Sequence, residues 1–406
     1  MKERTILHCD CNSFFASVET ALNPSYKDVP MAVCGDTENR HGVILAKNEK
    51  AKAFGIKTAE TVYSAKKKCP NLVLAKPHYD AYEEYSRKAN AIYARYTDMI
   101  EPFGIDESWL DVTASSFFGS GVEIAERIRQ EIKAELGITV SIGVSFNKVF
   151  AKLGSDYKKP DAITVITRDS MRDFIYPMDV SSLLFVGNKT AEALRAMGIR
   201  TIGELAAASA DILERRFGKA GRLLSTYARG EDESPVEAQD PNEAKSIGNG
   251  YTFKHDLVGR EACRVGIEYL SEMIGTKLRA RGFKCGTVQL SVKDEFLRTI
   301  QRNAPQDPPS DISEDLAKTA YDLLCKTWSA EKPVRMLTVT ATNLVRTSTI
   351  SEQIDFFGEV DREDRKRREA KEIAVDEIRE RFGSDAIVRA TIVNNDMGIS
   401  TKRRRK

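Results

Sequence analysis

Paired metal-binding or cross-linking cysteines are missing from this chain. Its seven cysteines, Cys9, Cys11, Cys34, Cys69, Cys263, Cys285 and Cys325, are odd in number, scattered, and never in a Cys-x-x-Cys spacing, which argues against a zinc ribbon or a disulfide framework. The four histidines, His8, His41, His78 and His255, stand apart from one another, so a Cys/His nucleophile pair is not expected either. An excess of one charge is also absent: 62 Lys and Arg face 60 Asp and Glu, a net of +2. Any signal for nucleic acid must therefore be local. No apolar run approaches the roughly 20 residues that span a bilayer, and the start, MKERTILHCDCN, holds too short an apolar stretch for a secretory signal. A cytoplasmic protein with no membrane association is expected. What remains is ordinary globular material, 41% hydrophobic and 30% charged over 406 residues, enough for about three compact units and too apolar for wholesale disorder.

The opening TILHCD reads as a short buried strand with Asp10 at its end, and Asn12 and Ser13 precede a helix in FFASVETAL. Strand-like MAVCG and GVILA give way to a lysine-rich stretch: between positions 47 and 76 eight lysines stand against Glu49 and Glu60. That local charge of +6 suits either a solvated helix face or phosphate contact. DAYEEYSRKANAIYARYTDMI predicts a long amphipathic helix, broken by Pro102 and Gly104 before a strand in IDESWLDVT. Another helix, GVEIAERIRQEIKAEL, leads into strand, helix and strand within GITVSIGVSFNKVFAKLGSDYKKPDAITVI. This alternation predicts an α/β layer around one acidic centre.

Residues 168 to 230 read as mostly helical, punctuated by Gly187, Gly198, Gly218 and Gly221, and 231 to 244, with no basic residue and two prolines, as a linker. The next hundred residues follow a βαββαβ order, which suggests a ferredoxin-like unit. Within it Thr287, Gln289 and Ser291 alternate with Val288, Leu290 and Val292, so the apolar sheet face must take the helices and the polar face is free for a partner.

Asp10 ends the first strand, and Asp106 with Glu107 begins another. Adjacent strand residues point to opposite faces, so the last two can serve one ligand only if the turn after Pro102 and Gly104 lets them converge. Three carboxylates at strand ends can hold two divalent cations for phosphoryl displacement, or they can cap turns and pair with lysines. Spacing alone leaves both open.

Three segments, HCDCNSFFASVE, IDESWLDVT and GVSFNKVFAKLGSDYKKPDAI, together resemble the palm and fingers signatures of the Y-family translesion DNA polymerases, of the DNA polymerase IV type. The resemblance runs in order from about residue 5 to 394. It implies an α+β multidomain right hand: an α/β palm over 1–11 and 79–167, small fingers over 12–78, a helical thumb over 168–230, the linker 231–244, a βαββαβ little finger over 245–346, and a C-terminal extension over 347–406. The implied activity is error-prone, DNA-dependent DNA synthesis in translesion synthesis and repair. A primer 3′-hydroxyl attacks the α-phosphate of a deoxynucleoside triphosphate and pyrophosphate leaves. By motif position, Asp10, Asp106 and Glu107 become the catalytic acids that hold two Mg2+ ions, with the Cys11 carbonyl as a further ligand. Phe14 and Phe15 fall beside the nucleotide, Phe15 as the steric gate against a ribose 2′-hydroxyl, and Lys52 and Lys159 fall on the triphosphate.

The chain departs from the pattern in the fingers, where many members have Tyr and Arg and this sequence has Glu49 and Lys52. A carboxylate beside a triphosphate is unfavourable, so Glu49 should point away or pair with a lysine. In the thumb, LLFVGNKTAEALRAMGI resembles a helix-hairpin-helix that grips a DNA phosphate through main-chain N–H groups. Phe185 replaces the usual first glycine, while Gly187, Asn188 and Lys189 remain. QIDFF, with Gln353, Phe356 and Phe357, resembles the peptide that docks on the bacterial sliding clamp. The expected partners are primer-template DNA, deoxynucleotides and that clamp, with the chain itself a monomer. A nucleotidyl cyclase and a DNA-binding protein with a dead palm are the competing readings. The hairpin, the little finger and the clamp-like peptide disfavour the first, and the presence of all three carboxylates disfavours the second.

Overall fold

The computed structural model describes residues 3–35, 42–238, 244–349, 359–383, 386–393 and 395–399. They form two compact units, one built from residues up to 35 and from 43 to 238, the other from 244 onward.

In the first unit, β1 (Ile6–Cys11) and α1 (Phe14–Leu22) precede a small insertion of β2 (Met31–Cys34), β3 (Ile44–Lys47), α2 (Glu49–Ala53), α3 (Val62–Lys68) and β4 (Val73–Ala75). There follow α4 (Tyr79–Tyr93), β5 (Ile100–Pro102), β6 (Glu107–Asp111), α5 (Gly121–Glu131), β7 (Val140–Ser145), α6 (Lys148–Tyr157) and β8 (Ile163–Ile166). Five strands make one sheet in the order β5-β6-β1-β7-β8, and β3-β2-β4 make a separate small sheet.

The period of two along β1 decides what each side of the large sheet does. Leu7, Cys9 and Cys11 point into a core shared with Tyr82, Ile92 and Tyr93 of α4 and Ile124 and Ile128 of α5. Ile6, His8 and Asp10 point the other way, where α6 lies: Ile6 packs on Ala151 and His8 bonds Ser155. β6 runs antiparallel to β1 with Glu107 directly opposite Asp10. Residues directly opposite share a face, so Asp10 and Glu107 project from the same side. The small sheet has a modest core of Ala32, Cys34, Ile44, Ala51, Ile56, Ala65, Cys69 and Leu72, and its lysines Lys66, Lys67 and Lys68 are exposed.

After β8 come α7 (Met171–Phe174), α8 (Asn188–Ala196), α9 (Ile202–Ala207), α10 (Ala210–Phe217) and α11 (Lys219–Ala228), closed around Ile175, Val180, Leu194, Ile202, Leu205 and Leu224. The first part of the expected linker lies on the large sheet's unit: Val236 is buried beside Ile6, Trp109 and Ala151, the Lys148 ammonium donates to Pro235 O at 3.3 Å, and Glu237 N–H donates to Glu101 at 2.9 Å.

The second unit has β9 (Ser246–Leu257), α12 (Arg260–Ala280), β10 (Phe283–Lys293), β11 (Thr299–Ser310), α13 (Ser313–Thr327) and β12 (Val334–Arg346), the βαββαβ order expected. Its antiparallel sheet runs β11-β10-β12-β9, with Val288, Leu290 and Val292 in the core against both helices. Beyond it the charged segment forms α14 (Glu359–Phe382). This helix is joined to the domain by ion pairs: Arg279 holds Glu372 at 3.0 Å and Asp376 at 2.6 Å, Lys284 holds Glu369 at 2.7 Å, and Arg379 meets Glu272. Ile392, Met397 and Ile399 then enter the domain core. The described residues of the C-terminal extension are thus part of this fold. No helix among the described residues is long and apolar enough to cross a membrane.

Gly143 of β7 is where α6 comes closest to the sheet. A Cβ there would lie 1.8 Å from the Ala151 carbonyl oxygen and 2.6 Å from the Ser155 nitrogen, main-chain atoms that cannot rotate away. Gly143→Ala should therefore lower stability by about 3 kcal/mol or more, read from a urea titration. An unchanged midpoint would show that α6 is not held at this distance.

Candidate active site

The end of β1, the turn before β6 and the loop after α6 meet at a cleft of about 300 Å³ lined by Asp10, Cys11, Phe14, Phe15, Lys47, Thr58, Asp106 and Lys159 among others. The chain leaves β1 through Ser13, whose φ of 47° lies in the left-handed region, a conformation uncommon for a residue with a side chain. Asp106 sits in the turn before β6, and its carbonyl accepts the Cys11 N–H at 2.9 Å. The turn therefore carries Asp106 back over the end of β1, which is how two adjacent acids face one place.

Positive charge is built into the same spot. The Lys152 ammonium lies 2.9 Å from Asp10 and 2.5 Å from Glu107, and that of Lys159 lies 2.7 Å from Asp10. Lys152 projects from α6 and Lys159 from the loop that follows it, so one helix and its exit bring both ammonium groups to the acids. Beneath them His8, fully buried, is bonded through Nδ1 to Ser155 Oγ at 2.8 Å. Its Nε2 faces Glu107 at 3.4 Å without a well-aligned hydrogen bond.

Burial lowers the His8 pKa against the opposing pull of Glu107. Burial also raises Glu107, but contacts with His8 and Lys152 outweigh it and hold this acid below the usual carboxylate range. Lys152 is raised, the pull of Asp10, Asp156 and Glu107 exceeding the opposing effect of burial. Asp106 goes the other way. Burial first, then the charges of Asp10 and Glu107, lift it from 3.8 to about 6. Two ammonium groups do not satisfy three crowded carboxylates.

This donor set fits hard divalent cations: His8, Asp10 and Glu107 each offer a ligand atom, all within 4.8 Å of one another, and carboxylate oxygens dominate. The Cys11 thiol takes no part. It lies 3.8 Å from the Tyr93 hydroxyl in the core and burial pushes it up to about 12, so only the main chain of Cys11 is available to a ligand.

Asn12, next along the chain, ties the site together. Its Oδ1 accepts from the Asp161 N–H at 2.8 Å and the Thr139 hydroxyl at 2.9 Å, and its Nδ2 donates to Ser141 at 2.8 Å. The loop that follows Lys159 is thereby pinned to the end of β1. Opposite the charged wall, Phe15 lines the cleft with its ring stacked on Tyr82, while Phe14 is largely sunk in the core.

The other expected residues are elsewhere. Lys52 does not line the cleft. It pairs with Glu49 at 3.5 Å, and Glu49 also accepts from the Ser13 hydroxyl at 3.3 Å, so the unusual acid is neutralised as expected. Lys47 takes the place beside the cleft, bonded to Thr58 at 3.1 Å. Lys47, Lys152 and Asn12 were not singled out from sequence. Lys47 opens the lysine-rich stretch that suited phosphate contact, whereas nothing local marked Lys152, and Asn12 stood out only as a residue before a helix. In the helical region, Gly187, Asn188 and Lys189 are exposed at the start of α8, and Phe185 adopts φ 66°. That left-handed conformation explains why glycine suits the position. Gln353, Phe356 and Phe357 lie outside the described residues.

Comparison with known proteins places this geometry in a lineage. The impB/mucB/samB family matches residues 9–156, and the C-terminal domain of that family matches residues 244–356. The chain is 46% identical over 400 residues to DNA polymerase IV of Acetivibrio thermocellus, covering 98% of this chain and 99% of the relative. It is 36% identical over 356 residues to DNA polymerase IV 1 of Bacillus subtilis, covering 88% and 86%. Among solved structures, a Y-family DNA polymerase chimera superposes with a TM-score of 0.76 at 25% identity, over 84% of this chain and 99% of that one.

The raised Asp106 carries a consequence for stability. Its proton is held more tightly in the folded than in the unfolded chain, so the cation-free protein loses stability as pH rises from 3.8 through about 6. Asp106→Asn should stabilise the cation-free protein at pH 7 by about 1–3 kcal/mol, an advantage that shrinks towards pH 4. Equal urea midpoints for parent and variant at pH 7 would remove the repulsion from the account.

Proposed function

Because the chain belongs to the Y family of DNA polymerases, of the DNA polymerase IV type, we propose that its acidic cleft joins a deoxynucleotide to a primer 3′-hydroxyl with two Mg2+ ions held by Asp10, Asp106, Glu107 and the Cys11 carbonyl. The protein is a DNA-directed DNA polymerase of translesion synthesis, and its catalysis is metal-dependent. The observation that supports the residue assignment is that Asp10 borders the cleft with Asp106 and shares a ligand group with Glu107, while the charges of Asp10 and Glu107 still raise Asp106 despite the nearby lysines. When bound, divalent cations stabilise the attacking and leaving oxygens of the phosphoryl displacement.

The chain's own groups do the rest. Lys159 contacts the triphosphate, and Lys47, which lines the same cleft, assists it in the position given to Lys52 on sequence. Phe15 bounds the space beside the sugar C2′ and acts as the steric gate. Gly187, Asn188 and Lys189 offer main-chain N–H groups and a cation at the exposed start of α8 to a DNA phosphate. Gln353, Phe356 and Phe357 dock on the sliding clamp. The protein works in the cytoplasm as a monomer.

Primer extension tests the centre. Asp106→Ala and Glu107→Ala should each abolish extension with Mg2+ while leaving affinity for primer-template DNA nearly intact, because DNA is held mainly through phosphates elsewhere. Substantial extension by either variant would overturn the two-metal assignment.

The clamp peptide calls for a different measurement. Truncating paired aromatic anchors commonly costs about 2 kcal/mol or more, roughly a thirtyfold loss of affinity. Phe356→Ala with Phe357→Ala should leave synthesis on a short primed template unchanged and remove stimulation by a loaded clamp. Surviving stimulation would place the contact on another surface.

A further inference from the structure

Behind Phe15 lies a buried acid that the chemistry above does not use. Glu19 is one helical turn further along α1 and only 2% exposed. Its carboxylate accepts the His78 main-chain N–H at 3.1 Å, approaches His78 Nδ1 at 2.9 and 3.0 Å, and accepts the Tyr82 hydroxyl in a short hydrogen bond. Both partners belong to the start of α4. Tyr82 is wholly buried, and its ring lies face to face with that of Phe15, centroids 4.1 Å apart and planes 10° from parallel. Tyr79 meets both rings edge-on, at 6.2 Å and 5.8 Å.

Stacked rings attract over a broad range of offsets, so the stack alone does not fix how far Phe15 reaches into the cleft. A phenol in a dry core is more demanding, because its hydroxyl must have an acceptor. Glu19 is that acceptor, and its other contacts anchor it to the end of α4. Holding the hydroxyl fixes the Tyr82 ring, and the ring sets the depth of Phe15.

We propose that Glu19 is a positioning residue for sugar selection, acting through the Tyr82 hydroxyl and the Tyr82–Phe15 stack to hold Phe15 at the distance that excludes a 2′-hydroxyl. The proposal rests on the reading of Phe15 as the ring beside the sugar.

The test is the ratio of kcat/KM for a ribonucleoside triphosphate to that for the matching deoxynucleoside triphosphate, measured for the parent, Phe15→Ala, Glu19→Leu, Tyr82→Phe and the Glu19→Leu/Tyr82→Phe pair. A loss of packing or folded fraction lowers both rates together and leaves the ratio in place. Positioning raises it: Glu19→Leu and Tyr82→Phe should each increase it about tenfold, equivalent to about 1.4 kcal/mol. The pair should go no further than either alone, since both act on one contact. A relaxed Phe15→Ala beside parent-like ratios in Glu19→Leu and Tyr82→Phe would overturn the proposal and leave the gate standing. Relaxation in Glu19→Leu but not in Tyr82→Phe would overturn the route through the hydroxyl. A parent-like ratio in Phe15→Ala would remove the gate and the proposal together.

Discussion

Mutual repulsion among Asp10, Asp106 and Glu107 is the constraint around which this polymerase's first unit is arranged. Two like charges about 4 Å apart cost about 4 kcal/mol at an effective dielectric of 20, and the cleft is partly desolvated. The cost is met from within the fold. α6 approaches β7 at Gly143, so Lys152, and Lys159 in the loop beyond the helix, reach the acids, and His8 and Ser155, at the same helix–sheet contact, lie beneath Glu107. The packing that builds the sheet's second face also supplies the counter-charges. Asp106 is left incompletely neutralised, so the site retains a demand for cations.

The cleft has two unlike walls. One is charged and tied into the sheet through Asn12, while the other is aromatic and rests on Tyr82 and Glu19. In the reaction proposed here the charged wall serves the triphosphate and its cations, and the shape of the aromatic wall tells one sugar from another. The second unit divides its labour in a comparable way. Its helical layer is joined by the ion-paired α14, and Thr287, Gln289 and Ser291 form a polar strip on the opposite sheet face, clear of the hydrophobic core.

Strict patterns were legible in sequence where one local rule dominates. Alternation of Thr287 to Val292 marked both sheet faces, and the left-handed φ of Phe185 accounts for the glycine expected there. Gly104 marked the turn that brings Asp106 to the site, but Pro102 does not break the helix, which already ends at Tyr93, and instead closes the unexpected strand β5. Charge runs were less legible, because charge on a helix surface says nothing about its partner. The lysine-rich stretch pairs within its own neighbourhood, Lys52 with Glu49 and Lys68 with Glu60, whereas the charged segment of α14 joins the domain. The start of the linker docks through Val236, a single apolar residue among acids, which no period announces.

The fold class, the family, the βαββαβ order of the second unit and the candidate acids and aromatic pair follow from the sequence alone, since each is carried by contiguous residues whose spacing a strand or helix converts directly into position, whereas the short β5 was hidden in a stretch read as helix. Tertiary structure alone decided which cations face the acids, why Lys47 rather than Lys52 borders the cleft, and what stands behind Phe15. Those pairings join residues dozens of positions apart, Asp10 to Lys152 and Glu19 to Tyr82. Their geometry depends on how closely helices and strands pack, a quantity set by the volume and shape of every side chain between them and written in no local pattern.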